Sequence, residues 1–213
     1  SVAIASLIFT FIFWSFGFLR MGTTGLTAQA LGANDHEEIR AILGRSILLA
    51  FIIGLALITL QKPISNLSFF LLQGSTQVEF LAHEYFDIRI WSAPATLTNY
   101  VLLGWLIAVG KAKHALELQL LLNISNILLD TFFVIGLNMG VQGVALGTIF
   151  AEYTAVLVGI GVVLRAQSHL LGSWNIQRIL KKARVIKTLS VNIDILVRTF
   201  ALLIVFSWFT ATS

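Results

Sequence analysis

Apolar residues run along this chain in long blocks separated by short polar intervals, and windows of about 19 residues resolve six of them. They cover residues 2–31, 42–60, 85–109, 115–137, 140–164 and 191–210. All are rich in Leu, Ile, Val, Phe, Ala and Gly and lack the strict alternation that lipid-facing barrel strands require, so the blocks read as helices. A bilayer crossing takes roughly 20 such residues. The pattern predicts an all-α integral membrane protein with about six transmembrane helices. Composition agrees: 57% of the 213 residues are hydrophobic and 11% charged, where a soluble domain carries about 25% charged residues. The first block is too long for a secretory h-region and lacks a basic n-region, so a signal peptide is not expected.

The fourteen Lys and Arg are segregated. Arg40 and Arg45 follow the first block, Lys111 and Lys113 the third, and Arg165, Arg178, Lys181, Lys182, Arg184 and Lys187 the fifth. Only Lys62 falls on the opposite face, and Arg20, Arg89 and Arg198 lie within blocks. The positive-inside rule therefore predicts cytoplasmic loops after the first, third and fifth spans, with the chain entering the first span from outside. The net charge of +4 follows from this topology and predicts no nucleic-acid partner; the partner is the lipid bilayer. Ser1 stands within two residues of an apolar helix, and Ser213 follows the last span without a flanking anchor. Those ends predict a fragment of a longer chain. Residues 165–190 hold six basic and no acidic residues among Trp174, Ile176, Ile179, Leu180, Val185, Ile186 and Leu189. The stretch resembles an interfacial amphipathic helix able to bind anionic lipid, but the preferred reading is a basic surface linker between 1–164 and 191–213.

Function in a helical membrane protein is sought at polar residues within spans, because each needs a partner or a watery cavity to offset its desolvation. Gln119, Asn123, Asn126 and Asp130 fall within about a 60° arc at 100° per residue, over roughly 16 Å of depth. A lone intramembrane Asn serves as packing glue; four aligned polar groups ending in a carboxylate point to a cavity wall. The next helix returns after a tight turn at Asn138, Met139 and Gly140, which sets Asp130 level with Thr148, and Asn126 level with Glu152. Gly143, Gly147, Ala151, Ala155 and Gly159 form a ladder for close helix packing. A weaker stripe, Arg89, Ser92, Thr96 and Asn99, shares the third span with Pro94, which is available to kink it. Arg89 lies near the outer end, where snorkelling is the default. Arg20 lies deeper and is expected to pair with a carboxylate or backbone carbonyls as a structural intramembrane charge.

Other chemistry finds little support. The chain has no cysteine, which removes disulfides, thiolate metal sites and cysteine nucleophiles. His83-Glu84-Tyr85-Phe86-Asp87 lacks the second His of a zinc helix, and no metal or cofactor is expected. An intramembrane enzyme needs two or more convergent acids, bases or metal ligands. One strong carboxylate with amide and hydroxyl neighbours suits binding and release of H⁺ or Na⁺ better.

Two segments carry a family resemblance. Residues 16–33, Phe-Gly-Phe-Leu-Arg-Met-Gly-Thr-Thr-Gly-Leu-Thr-Ala-Gln-Ala-Leu-Gly-Ala, and residues 192–200, Asn-Ile-Asp-Ile-Leu-Val-Arg-Thr-Phe, with the text leading on to Phe209 and Thr210, resemble the multidrug and toxic compound extrusion (MATE) family, and within it the DNA-damage-inducible protein F (DinF) branch. The resemblance implies helices two to seven of a twelve-helix, two-lobe transporter in the bacterial inner membrane. Its partners are then the first helix and the C-lobe of the same transporter, and its small-molecule substrates are cationic or amphipathic compounds exported by antiport with H⁺ or Na⁺. By motif and spacing Asn126, Asp130 and Thr148 match the family's N-lobe cavity residues, and Asn99 matches a further cavity Asn. The branch also relies on an Asp in its first helix, which this chain cannot show. Asn123, Gln119 and Glu152 are further candidates for the cavity wall. The alternative transport reading is a lipid-linked precursor flippase of the same superfamily, which favours a larger and more cationic cavity. A simple packing scaffold is the third.

Overall fold

A computed structural model describes residues 2–71, 76–170 and 173–212 of the chain. Ser1 and Ser213, which carried the fragment expectation, lie outside them. The described residues are helical almost throughout: α1 (Val2–Ser15), α2 (Phe18–Gly32), α3 (His36–Thr59), α4 (Gln61–Leu71), α5 (Thr76–Arg89), a 3₁₀ turn at Ile90–Ser92, α6 (Ala93–Ala108), α7 (Ala112–Thr131) with a π-helical end at Phe132–Gly136, α8 (Gly140–Ala166), a 3₁₀ turn at Gln167–His169, α9 (Ile176–Ile179) and α10 (Lys182–Thr212). Stretches Ser6–Gly32, His36–Thr59, Ala112–Gly136 and Gly140–Ala166 are long and apolar enough to cross a membrane.

Local chemistry explains most boundaries. Asp35 caps α3 by accepting from the Glu38 backbone N–H at 3.1 Å, and Glu37 and Glu38 in the first turn face the positive end of the helix dipole. Asn34 and Asn138 adopt φ of 53° and 54°, the left-handed region that Asn tolerates, and so turn the chain after α2 and before α8. The turn expected at 138–140 is thus present.

Three expectations change. The first apolar block is two helices, because Phe16, Gly17 and Leu19 bond three residues back and tighten the chain around Gly17. Block 85–109 is also divided, since Pro94 sits in the first turn of α6, where a missing N–H costs nothing, rather than kinking one continuous helix. Between the second and third blocks, where no span is expected, residues 61–71 form α4 and residues 76–84 most of α5. The sixth block is the larger part of α10, which starts in the basic stretch at Lys182.

The core is built around α6, whose residues from Ala93 to Asn99 and from Val101 to Leu106 are all buried. Close approaches hold it. A methyl group on Gly54 of α3 would lie 2.6 Å from Pro94 Cα, and one on Gly104 would lie 2.5 Å from the Arg20 carbonyl of α2. Thr24 Oγ1 donates to the Gly104 carbonyl at 3.0 Å, and Trp105 Nε1 donates to the Ile39 carbonyl at 3.1 Å, so α2 and α3 are tied to α6 by polar contacts inside an apolar core. Helix α7 lies at the periphery and leaves Leu116, Leu120, Ile124, Ile127 and Leu128 exposed, a surface suited to lipid or to another helical lobe.

Candidate functional site

The α7–α8 hairpin brings the predicted trio together. Asn126 Nδ2 donates to Asp130 Oδ1 at 3.2 Å and to Thr148 Oγ1 at 3.1 Å, so one amide bridges the carboxylate and the hydroxyl of the next helix. Thr148 donates onward to the Val144 carbonyl at 2.9 Å. This contact depends on the ladder residues: a methyl group on Gly147 would meet Asp130 N at 2.9 Å and Asp130 Cα at 3.1 Å. The ladder packs the helices, as its spacing predicts. Earlier along α7, Gln119 Nε2 donates to Asn123 Oδ1 at 3.3 Å on an exposed part of the helix.

Equal depth does not make Asn126 and Glu152 partners. Glu152 turns toward α5 and α6, where Asn99 Nδ2 donates to its Oε2 at 2.7 Å and to its backbone carbonyl at 3.1 Å. Its Oε1 lies 3.6 Å from Arg89 Nη2, and both side chains are more than nine-tenths buried. Arg89 therefore does not snorkel; its guanidinium also sits over the rings of Phe9 and Phe13, 5.6 and 5.3 Å from their centroids. Sequence reasoning put Arg89 in a polar stripe with Thr96 and Asn99 but took snorkelling as its default, and so did not pair it with Glu152. The available signal was a basic and an acidic residue in two apolar blocks, each needing a countercharge.

Arg89, Thr96, Asn99, Gln119, Thr148 and Glu152 line one cleft of about 410 Å³, completed by Phe9, Phe13, Trp14, Tyr85 and Tyr100. Asp130 joins this wall through Asn126 and Thr148. Such a lining, mostly apolar with a few convergent polar groups, is what small-molecule sites share. Arg20 is different. It is exposed, forms no ion pair among the described residues, and lines a separate cleft with Trp14, Tyr100 and Thr199, so the expected carboxylate partner is not found.

A second polar assembly lies where the 165–190 stretch meets α3. Glu38, buried, contacts Arg45 at 3.4 Å, Arg178 at 3.2 Å and Arg184 at 3.6 Å. Arg178 also binds Glu37 at 2.7 Å and Asp35. Burial works against the Arg178 charge, but its hydrogen bonds to Glu38 and Glu37 and the field of Asp35 win, and its pKa stands above the usual arginine value. Arg45 donates to the carbonyls of Ile179 at 3.0 Å and Arg178 at 3.2 Å and to Thr188 Oγ1 at 3.1 Å. Ile179 and Trp174 pack on Gly44. The segment rests on α3, and two of its six basic residues are bound to carboxylates.

No group of three His, Asp or Glu side chains among the described residues is arranged to hold a metal ion. His83 instead stacks on Phe69, with ring centroids 3.8 Å apart, and shares a hydrogen bond of 3.1 Å with Ser65.

Known proteins resemble this chain in sequence and in fold. DNA damage-inducible protein F of Escherichia coli is 39% identical over 210 residues, 98% of this chain and 46% of that protein. Multidrug export protein MepA of Staphylococcus aureus is 26% identical over 138 residues, 64% of this chain and 30% of the relative. The chain thus spans less than half the length of the curated relatives it matches. Among solved structures, a multidrug resistance MATE family transporter of the MOP superfamily in its inward-facing conformation matches with a TM-score of 0.78 at 25% identity, over 90% of this chain and 44% of that one. An outward-facing structure so described matches with a TM-score of 0.78 at 23% identity, over 94% and 46%. The MatE family profile matches residues 1–132, and the family is one of transporters rather than enzymes. The chain belongs to the MatE family.

Proposed function

We propose that this chain is the N-lobe part of a multidrug efflux antiporter, with Asp130 as the residue that exchanges H⁺ or Na⁺ for the exported compound. The observation that carries the reading is the Asn126 bridge between Asp130 and Thr148, 3.2 and 3.1 Å on either side. A carboxylate inside a span must be neutralised or partnered. Proton uptake by Asp130 adds an O–H donor and leaves a neutral, weaker acceptor for the Asn126 amide, so the bridge from Asp130 through Asn126 to Thr148 changes strength. Because Thr148 lines the cleft, that exchange passes from the ion to the compartment where the substrate sits. The balance between burial and the Asn126 hydrogen bond sets where Asp130 titrates.

The remaining parts follow from family and charge. The first helix and the C-lobe complete the cavity, and the loops after the first, third and fifth predicted spans face the cytoplasm. That the lobe's fold matches inward-facing and outward-facing structures with the same TM-score of 0.78 supports a lobe that moves as a unit. The flippase reading is the less favoured one, because the two charges lining the cleft, Arg89 and Glu152, are paired and leave it without net positive charge.

The test is dye efflux from proteoliposomes holding the full-length transporter, with a pH gradient or a Na⁺ gradient imposed separately, for wild type and Asp130→Asn. Gradient-driven efflux that falls to the protein-free background in the variant is expected, and the effective gradient names the ion. Undiminished coupled efflux by Asp130→Asn refutes the assignment.

A further inference from the structure

The cleft of about 410 Å³ contains two charged side chains, Arg89 and Glu152, among its lining residues. They are held unequally. Glu152 is fixed by Asn99, which donates to both its carboxylate and its backbone carbonyl. Its position therefore does not depend on Arg89. The guanidinium is the loosely held partner: its contact with Glu152 is 3.6 Å, its buried Nη1 has no hydrogen-bond partner among the described residues, and it rests on the ring faces of Phe9 and Phe13. A desolvated cation with one long ion contact and an unsatisfied N–H lies in a shallow well.

These contacts of Arg89 are ones that an aromatic cation makes equally well, with its charge to Glu152 and its rings against Phe9 and Phe13. We propose that Arg89 is a tethered occupant of the cleft, standing where the cationic aromatic part of an exported compound stands, and that binding requires its guanidinium to leave Glu152. The inference rests on the efflux reading and deepens it, making Arg89 a specificity-determining residue. Displacement has a route, because Arg89 is the last residue of α5 before the 3₁₀ turn, and an arginine stem is long enough to carry its head to the end of a helix. The device also has a use. With both charges present the cleft is neutral, so it need not strand a bare carboxylate once the compound has gone.

A structural ion pair and a tethered occupant differ in sign. If Arg89 only braces the fold, its removal weakens ligand binding; if it competes with the ligand, its removal strengthens binding of cations and of nothing else. The experiment is equilibrium fluorescence binding to the full-length transporter in lipid nanodiscs without any gradient. The probes are ethidium, a permanent aromatic cation, and N-phenyl-1-naphthylamine, an uncharged aromatic amine. Arg89→Gln is expected to bind ethidium about tenfold more tightly, since the resident positive charge no longer screens Glu152, and to bind the neutral probe as wild type does. Glu152→Gln is expected to weaken ethidium binding about tenfold, and adding it to Arg89→Gln abolishes the gain. Unchanged or weaker ethidium binding by Arg89→Gln overturns the proposal, as does equal tightening of both probes. Should that variant not fold, Arg89→Lys keeps the charge without the planar face that rests on the rings; a severalfold gain for ethidium supports the proposal and any other result overturns it. Binding is read without a gradient, so failure of the antiport reading leaves this result interpretable.

Discussion

Gly147 is the position where packing and chemistry of the cleft are one and the same, and replacing it with alanine tests both. The added methyl group would stand 2.9 Å from Asp130 N and 3.1 Å from Asp130 Cα and would overlap the Oδ1 oxygen, where ordinary contact begins near 3.4 Å. The side-chain oxygen can turn aside, but only by leaving Asn126; the backbone nitrogen cannot. Restoring contact distance requires α7 and α8 to part by about 0.5 Å at this level, the difference between 2.9 and 3.4 Å. The two Asn126 bonds, at 3.2 and 3.1 Å, are already near the long end of the useful range. Overpacking costs about 1–3 kcal/mol and losing one of the bonds about 1 kcal/mol more. Better helix propensity returns up to about 1 kcal/mol, so the expected net loss is roughly 1–3 kcal/mol. Gly161 on the same helix is the control, since a methyl group there meets nothing within 4 Å and keeps the propensity gain. Heating the full-length variants and following the monodisperse fraction by fluorescence-detected gel filtration should place Gly147→Ala below wild type and Gly161→Ala level with it or above. Gly147→Ala should also lose gradient-driven efflux. Equal heat resistance of the two variants, with efflux intact in both, would show that the helices do not rely on this contact and would sink the reasoning.

Two more outcomes are expected. Glu38→Gln leaves the buried Arg45 and its neighbours without their shared carboxylate, a loss of up to about 3–5 kcal/mol for a broken buried pair; faster tryptic cleavage at Arg178, Lys181 and Lys182 is the readout, and an unchanged cleavage rate would contradict the described network. Trp105→Phe removes the donor to the Ile39 carbonyl in the centre of the bundle and should lower thermal stability by about 1–2 kcal/mol, with no change in unfolding temperature counting against a structural role for that bond.

The α7–α8 hairpin was the most legible part of the molecule. Its periodic polar stripe, its turn at 138–140 and its ladder of small residues are local signals that set Asp130 level with Thr148, but the bridge from Asn126 to both was not among them. The Arg89–Glu152–Asn99 cluster was not legible, because Asn99 and Glu152 are 53 residues apart in sequence and depth along a helix says nothing about azimuth. Pro94 misled for a different reason: a proline inside an apolar block signals either a kink or a first turn, and only the tertiary packing of Ile90–Ser92 decides. Asp35, Glu37 and Glu38 open α3, and their second role as ligands of Arg178 depends on a segment more than a hundred residues later.

The three acceptors that Arg45 takes from Arg178, Ile179 and Thr188, together with the close seat of Asn192 against Gly22, mean that the first turns of α10 are moored to the lobe that precedes them. A chain fastened in this way is not a slack connection to the helix that follows. The contacts on α2 and α3 fix where this helix leaves the bundle. The basic stretch thus serves the fold as an anchor for the helix that follows it.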